Sequence, residues 1–148
     1  MGIIKSFIDN VFRDRVTPVI GSVLYCDLTG RLTSHSGIYI GNNHIIHLNG
    51  RGIVERVTPD EFIDGTTAMS IYVSCNGTTP VGCKKAANRA KQMLGKTRDY
   101  NMLFDNCHQF VAGCLTGDFE YNASNFLWIL EMKTENYTGS NTWRVWDR

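Results

Sequence analysis

The chain has 148 residues, 43% of them hydrophobic, and a formal net charge of +1. That length fits one domain around a single core. The near-neutral charge excludes both a disordered polyelectrolyte and a strongly basic nucleic-acid footprint, so no nucleic-acid partner is expected.

No stretch approaches the roughly 20 consecutive apolar residues of a membrane-spanning helix. The first residues lack the basic flank, long apolar run and small-residue cleavage site of a secretory signal, so the expected location is cytoplasmic. The five cysteines, Cys26, Cys75, Cys83, Cys107 and Cys114, are odd in number and irregularly spaced. That pattern predicts free thiols in a reducing compartment rather than a disulfide framework.

In chain order, Ile3, Ile4, Phe7, Ile8, Val11 and Phe12 recur at helical spacing, which predicts an amphipathic helix over residues 1–15. Such a helix either packs on the domain or lies against lipid or a partner. The opening Met1-Gly2-Ile3-Ile4-Lys5-Ser6 also fits the pattern for myristoylation at Gly2, a modification that needs a eukaryotic cytosol.

Short β-rich runs follow at Val19 to Tyr25, Gly37 to Ile40, His44 to Leu48, Ile53 to Val57 and Ser70 to Val73, separated by Gly and Asn. They predict an antiparallel meander. Thr58-Pro59-Asp60-Glu61 has capping-box spacing with proline at the first helical position, which predicts a short helical turn. A second helix is expected from Thr79 or Pro80 to Leu94, with Gly95 as its stop. A third should follow Asn106, whose side chain can cap while Gln109 takes the return position, and should end at Gly117.

The tail holds an apolar patch, Phe126 to Leu130, and a polar stretch from Lys133 that ends in Trp143-Arg144-Val145-Trp146. The expected fold class is α+β, an antiparallel meander packed against helices. It forms one domain over 1–148: the N-terminal helix at 1–15, a core at 19–117 and a C-terminal extension at 118–148.

A thiol is a useful nucleophile as thiolate, which unpaired backbone N–H groups at a helix start and a nearby imidazole both favour. Cys107 falls in the first turn of the third helix. Cys114 lies about two turns deeper and reads as core, and Cys26, Cys75 and Cys83 have no cap signal before them. A base must come from elsewhere in the chain. His35 opens the strand His35-Ser36-Gly37-Ile38-Tyr39-Ile40, from where its side chain can face a helix end.

If Gly41-Asn42-Asn43 is a three-residue loop, Ile40 sits opposite His44 and Gly37 opposite His47. His47 then shares the pleat face of His35, whereas a two-residue loop would part them. His44 and His47 point to opposite faces and cannot jointly grip a metal ion, so no metal is expected. His108 projects away from Cys107 and reads as a polar surface or rim residue. Tyr39 and Tyr100 read as packing residues. On spacing and capping alone, the alternative that His35, His47 and Cys107 are unrelated residues of an ordinary domain stays open.

Three segments, His35-Ser36-Gly37-Ile38-Tyr39-Ile40-Gly41, Ile45-Ile46-His47-Leu48 and Tyr100-Asn101-Met102-Leu103-Phe104-Asp105-Asn106-Cys107-His108-Gln109-Phe110-Val111, closely resemble the H-box and NC motifs of the lecithin:retinol acyltransferase-like family. That family belongs to the circularly permuted branch of the NlpC-type, papain-like superfamily, and the resemblance runs from about Val19 to Gly117. It implies Cys107 as nucleophile, His35 as general base and His47 as the orienting third residue. It also implies a thioester formed from a phospholipid or other lipid acyl ester and passed to water, an alcohol or an amine, without a cofactor.

The backbone N–H of Cys107 and a donor near Ser34 or Ser36 are the candidate oxyanion contacts, and His108 is a candidate substrate contact. Two departures from animal acyltransferases, Thr33-Ser34 before the base and His108 after the cysteine, leave acyl donor and acceptor open. Many members carry a C-terminal membrane anchor. This sequence shows no such run, so peripheral lipid contact is expected at the N-terminal helix or the Phe126 to Leu130 patch. An amidase or peptidase acting on peptide or cell-wall fragments, and a non-catalytic binding scaffold, are the alternatives. Oligomeric state is not readable from the sequence.

Overall fold

The computed structural model describes residues 15–28, 34–97, 106–119 and 127–148. The Met1 to Ser6 motif, residues 1–14 of the expected N-terminal helix, Thr33, Tyr100 and Phe126 lie outside the described residues. Within them the chain forms strands β1 (Val23–Asp27), β2 (Ser34–Gly41), β3 (His44–Leu48) and β4 (Val54–Val57), then helix α1 (Pro59–Ile63). Strands β5 (Tyr72–Asn76) and β6 (Thr79–Pro80) follow, then helices α2 (Lys84–Gln92), α3 (Asn106–Thr116) and α4 (Leu127–Thr138), and strand β7 (Thr142–Val145).

The seven strands form one sheet in the order β4-β3-β2-β1-β5-β6, with β7 also pairing with β5. All these pairings are antiparallel, so the α+β class and the meander read from the sequence are what the chain builds. Both sheet faces are covered, which is why its strands read as apolar runs rather than clean alternation. On one face Val23, Ile38, Ile46 and Val54 pack against Ala86, Ala87 and Ala90 of α2 and Phe110, Cys114 and Leu115 of α3. On the other, Leu24, Cys26, Tyr39, Ile45 and Val73 pack against Phe62 of α1 and Trp146 beyond β7.

The β2–β3 hairpin sets the geometry that follows. Asn42 and Asn43 both have positive φ, 51° and 61°, and Gly41 pairs with His44. This is a two-residue turn of the mirror-image kind, whose twist matches that of the strands. The expected pairing of Ile40 with His44 is therefore replaced. A register shift between Tyr39 and Gly41 then leaves Ile40 as an extra residue, and beyond it Tyr39 faces Ile45 and Ile38 faces Ile46. Continued one step, that register sets Gly37 opposite His47. The bulge thus restores the parity that a two-residue turn alone would have lost.

Other boundaries moved for local reasons. The Thr58 capping box is present in full, with Glu61 N donating to Thr58 Oγ1 and Thr58 N to Glu61 Oε1. The second helix starts at Lys84 rather than Thr79 or Pro80, because Thr79 and Pro80 pair with Asn76 and Cys75 as β6. Gly82 then runs against the strand foot so closely that a Cβ would sit 2.5 Å from Ser22 N. Val19 and Ile20 stay exposed ahead of β1. Gln109 does not return to cap its helix; its Nε2 donates to Phe119 O at 3.2 Å. The closing segment, whose order the sequence left open, supplies β7, with Val145 opposite Tyr72 and Thr142 opposite Cys75.

Gly37 is where α1 and β3 close over β2. A Cβ there would meet Ile45 Cγ2 at 2.7 Å and both Ile46 O and Phe62 Cε1 at 3.0 Å. One of these is backbone and one an aromatic ring held in the core, so relief requires the hairpin or α1 to move. Gly37→Ala is expected to lower stability by about 1–3 kcal/mol, the usual cost of overpacking, read as a reduced urea midpoint. An unchanged midpoint would show that the contact yields freely.

Candidate active site

Alternation along the start of β2 sends Ser34 and Ser36 to one face of the sheet and His35 and Gly37 to the other. Each pair meets a different partner, and the result is two imidazole networks separated by one strand.

On the α1 side, His35 Nε2 lies 2.6 Å from His47 Nδ1, and His47 Nε2 lies 2.9 Å from Glu55 Oε1 on β4. Glu55 stands directly opposite His47 in the β3–β4 ladder. The His35 and His47 rings meet edge to face at a centroid distance of 4.8 Å. Phe62 packs on both, at 4.8 Å from His35 and 5.6 Å from His47. Thr58's cap and Pro59 set the start of α1 and so bring Phe62 over the pair.

On the α3 side, His108 is 1% exposed. Its Nε2 lies 2.8 Å from Ser34 Oγ and its Nδ1 2.7 Å from Ser36 Oγ. The expectation of a surface or rim residue is corrected: the hydroxyls of Ser34 and Ser36 hold the His108 ring between them in the core. Cys107 falls in the first turn of α3, as the cap spacing predicted, and is 6% exposed. Its Sγ lies 3.9 Å from Ser34 O, the carbonyl just before His35, and 3.9 Å from His108 Nδ1.

The structure therefore brings His35 to His47, and Cys107 to Ser34 and His108. The His35 ring makes its hydrogen bond to His47, and Nδ1 has no hydrogen-bond partner among the described residues. His44 and His47 alternate along β3 as expected, and among the described residues no three His, Cys, Asp or Glu side chains cluster as metal ligands. Glu55 and Phe62 were missed in the sequence. Glu55 sits in a run, Val54-Glu55-Arg56-Val57, that reads as an ordinary half-exposed edge strand, and only its position opposite His47 distinguishes it.

Electrostatics keep the imidazoles neutral. Burial, reinforced by the charges His47 and His108 would carry, lowers His35 to about 3. Burial lowers His108 to about 4. Burial also lowers His47, against the opposing pull of Glu55. The hydrogen bond from His47 leads the influences that hold the Glu55 carboxyl below its usual range. Of the other thiols, burial, with Cys107 and Asp27 adding to it, pushes Cys26 up to about 12. Burial pushes Cys75 to about 11. Cys114 is fully buried in the core, as read from the sequence.

The family model for lecithin retinol acyltransferase matches residues 17–120. A comparison with curated proteins returns no match. The matched span takes in both imidazole networks and the start of α3.

The depressed histidines make stability pH-dependent, with a sign that follows from linkage. Between the ordinary histidine value of 6.5 and the folded values of about 3 and 4 for His35 and His108, the unfolded chain binds protons that the folded chain refuses. Stability is therefore full above that window and falls as pH drops through it, by at most about 1.4 kcal/mol per pH unit per histidine. Urea midpoints at pH 7, 6 and 5 should decline in that order, with a shallower decline in His108→Gln. A flat series would show that these rings protonate in the folded state as readily as in the unfolded one.

Proposed function

The chain belongs to the lecithin retinol acyltransferase family, and on that premise we propose that it is a lipid acyltransferase or hydrolase working through a thioester on Cys107. The observation carrying this reading is the family match over residues 17–120, which contains His35, His47 and Cys107 in one span.

In the proposed reaction His35 Nδ1 takes the thiol proton while Cys107 Sγ attacks the carbonyl carbon of a lipid acyl ester. The backbone N–H of Cys107, at the start of α3, holds the oxyanion of the tetrahedral intermediate. Collapse expels the alcohol, which leaves with the proton from His35, and the acyl group stays on sulfur. Water, an alcohol or an amine then attacks the thioester, gives its proton to His35, and releases the acylated product and the thiol.

His35 suits the base role because its open nitrogen, Nδ1, needs no existing bond broken, whereas both nitrogens of His108 are engaged by serine hydroxyls. A hydrogen bond between Cys107 and His35 would form as substrate enters, since catalytic hydrogen bonds are commonly long or misaligned in the free enzyme. Trp128 and Met132, 64% and 47% exposed one turn apart on α4, support peripheral contact with a lipid surface. No helix among the described residues is long and apolar enough to cross a membrane.

One observation favours a second assignment of the base: Cys107 Sγ approaches His108 Nδ1 to 3.9 Å. Short-chain phospholipid turnover by purified protein separates the two. His35→Ala should lose on the order of 100-fold or more in kcat/KM, the usual scale of general-base loss, and His108→Ala much less; the reverse order would transfer the role to His108. An acyl adduct on Cys107 should appear in intact mass and vanish in Cys107→Ser. Equal turnover by wild type and Cys107→Ala would end the thioester reading, and faster cleavage of acyl-peptide amides than of phospholipid would shift the substrate class.

A further inference from the structure

We propose that Glu55 is a positioning residue which, through His47, fixes the tautomer of His35 so that Nδ1 carries the lone pair and Nε2 the proton. This inference rests on the reading of His35 as the base, and adds a residue from a third strand to that site.

Donor and acceptor roles are fixed from the outside inward. An ionised carboxylate only accepts, so at 2.9 Å from Glu55 Oε1 the His47 Nε2 must carry a proton. A neutral imidazole has one N–H, so His47 Nδ1 is then an acceptor. At 2.6 Å it faces His35 Nε2, which must donate, and the second nitrogen of a neutral His35 is left bare. The chain is determinate because every link admits one direction once the end is anionic.

The surroundings support both conditions. The Glu55 side chain is 37% exposed against 7% for His47, so the carboxylate keeps water on one side while the ring it orients does not. Burial disfavours a charged His47, the one state that would reverse the second link. The groups facing Glu55 are His47 on β3, Asn49 and Arg51 from the β3–β4 turn, and Glu61 of α1. Those facing His35 are His47 and His108. Without Glu55, water at the open edge could donate to or accept from His47 equally well, and nothing would select the tautomer of His35.

The position tolerates the test because Glu55 lies on the edge strand β4. Imidazole nitrogen shifts of protein labelled with ¹⁵N-histidine report each tautomer directly, without activity. In the wild type, His35 should show a protonated Nε2 and a bare Nδ1, with His47 likewise protonated at Nε2. Glu55→Ala should mix the tautomers of both rings, and Glu55→Lys, which presents a donor, should invert them. On short-chain phospholipid, both variants should lose kcat on the order of 100-fold with KM little changed, and Glu55→Asp should recover part of the loss.

A wild-type His35 protonated at Nδ1, or tautomers indifferent to Glu55→Ala and Glu55→Lys, would overturn the relay. Altered tautomers with unaltered kcat, in an enzyme that still requires Cys107, would overturn its catalytic relevance. Failure of the parent reading appears separately, as turnover that survives Cys107→Ala, and the nitrogen shifts judge the relay in that case too.

Discussion

The parity of the β2–β3 hairpin is the constraint on which the site depends. Side chains alternate along a strand with period two, so a slip of one residue between β2 and β3 would carry His47 to the helix face and leave His35 without its partner. The two-residue turn at Asn42-Asn43 by itself imposes the wrong parity, and the extra residue at Ile40 corrects it. The same register buries Ile45 on one face and Ile46 on the other, each fully. The core and the histidine pair therefore select the same alignment, and stabilising one stabilises the other.

From that register the two imidazole networks follow by alternation. Ser34, His35 and Ser36 are consecutive, yet the serines hold His108 beneath α3 while His35 meets His47 and Phe62 beneath α1. Burial disfavours a charge on each of these rings, and at His47 it outweighs the opposing pull of Glu55 and Glu61. Neutral rings can pass a tautomeric preference from one to the next, as a carboxylate at one end dictates which nitrogen carries the proton at the other. Had Glu55 been buried as deeply as His47, the cost of its own charge would have competed with that role. Its half-exposed place at the sheet edge avoids the conflict.

Membership of the lecithin retinol acyltransferase family gives this geometry a chemical meaning, and the contrast within the site sharpens it. Cys107 lies in the first turn of α3, where the proposed oxyanion would meet the positive end of the helix. Other thiols lie elsewhere: Cys26 and Cys75 are buried with raised pKa values, and Cys114 sits two turns into the core. Cys107 is buried too, so it is its place at a helix start that separates it from thiols of identical intrinsic chemistry.

Much of this was written in local patterns. The meander, the Thr58 capping box and the helix that begins beside Cys107 all follow from short-range spacing, since caps, turns and pleats involve residues a few positions apart; the shared face of His35 and His47, expected from a three-residue loop, comes instead from a two-residue turn with an extra residue at Ile40. What the sequence could not carry was the outcome of long-range pairing. Thr79 and Pro80 look like a helix start but are captured by β5, because Gly82 must thread against Ser22. His108 looks like a surface residue, yet two serines some seventy positions earlier bury it. Glu55 looks like an ordinary edge-strand carboxylate until β4 lies beside β3. The sequence alone determined which residue types and which faces were available, because those are set by local periodicity. Only the tertiary structure decided which polar groups meet, because a hydrogen bond between distant residues depends on a register that both strands must share.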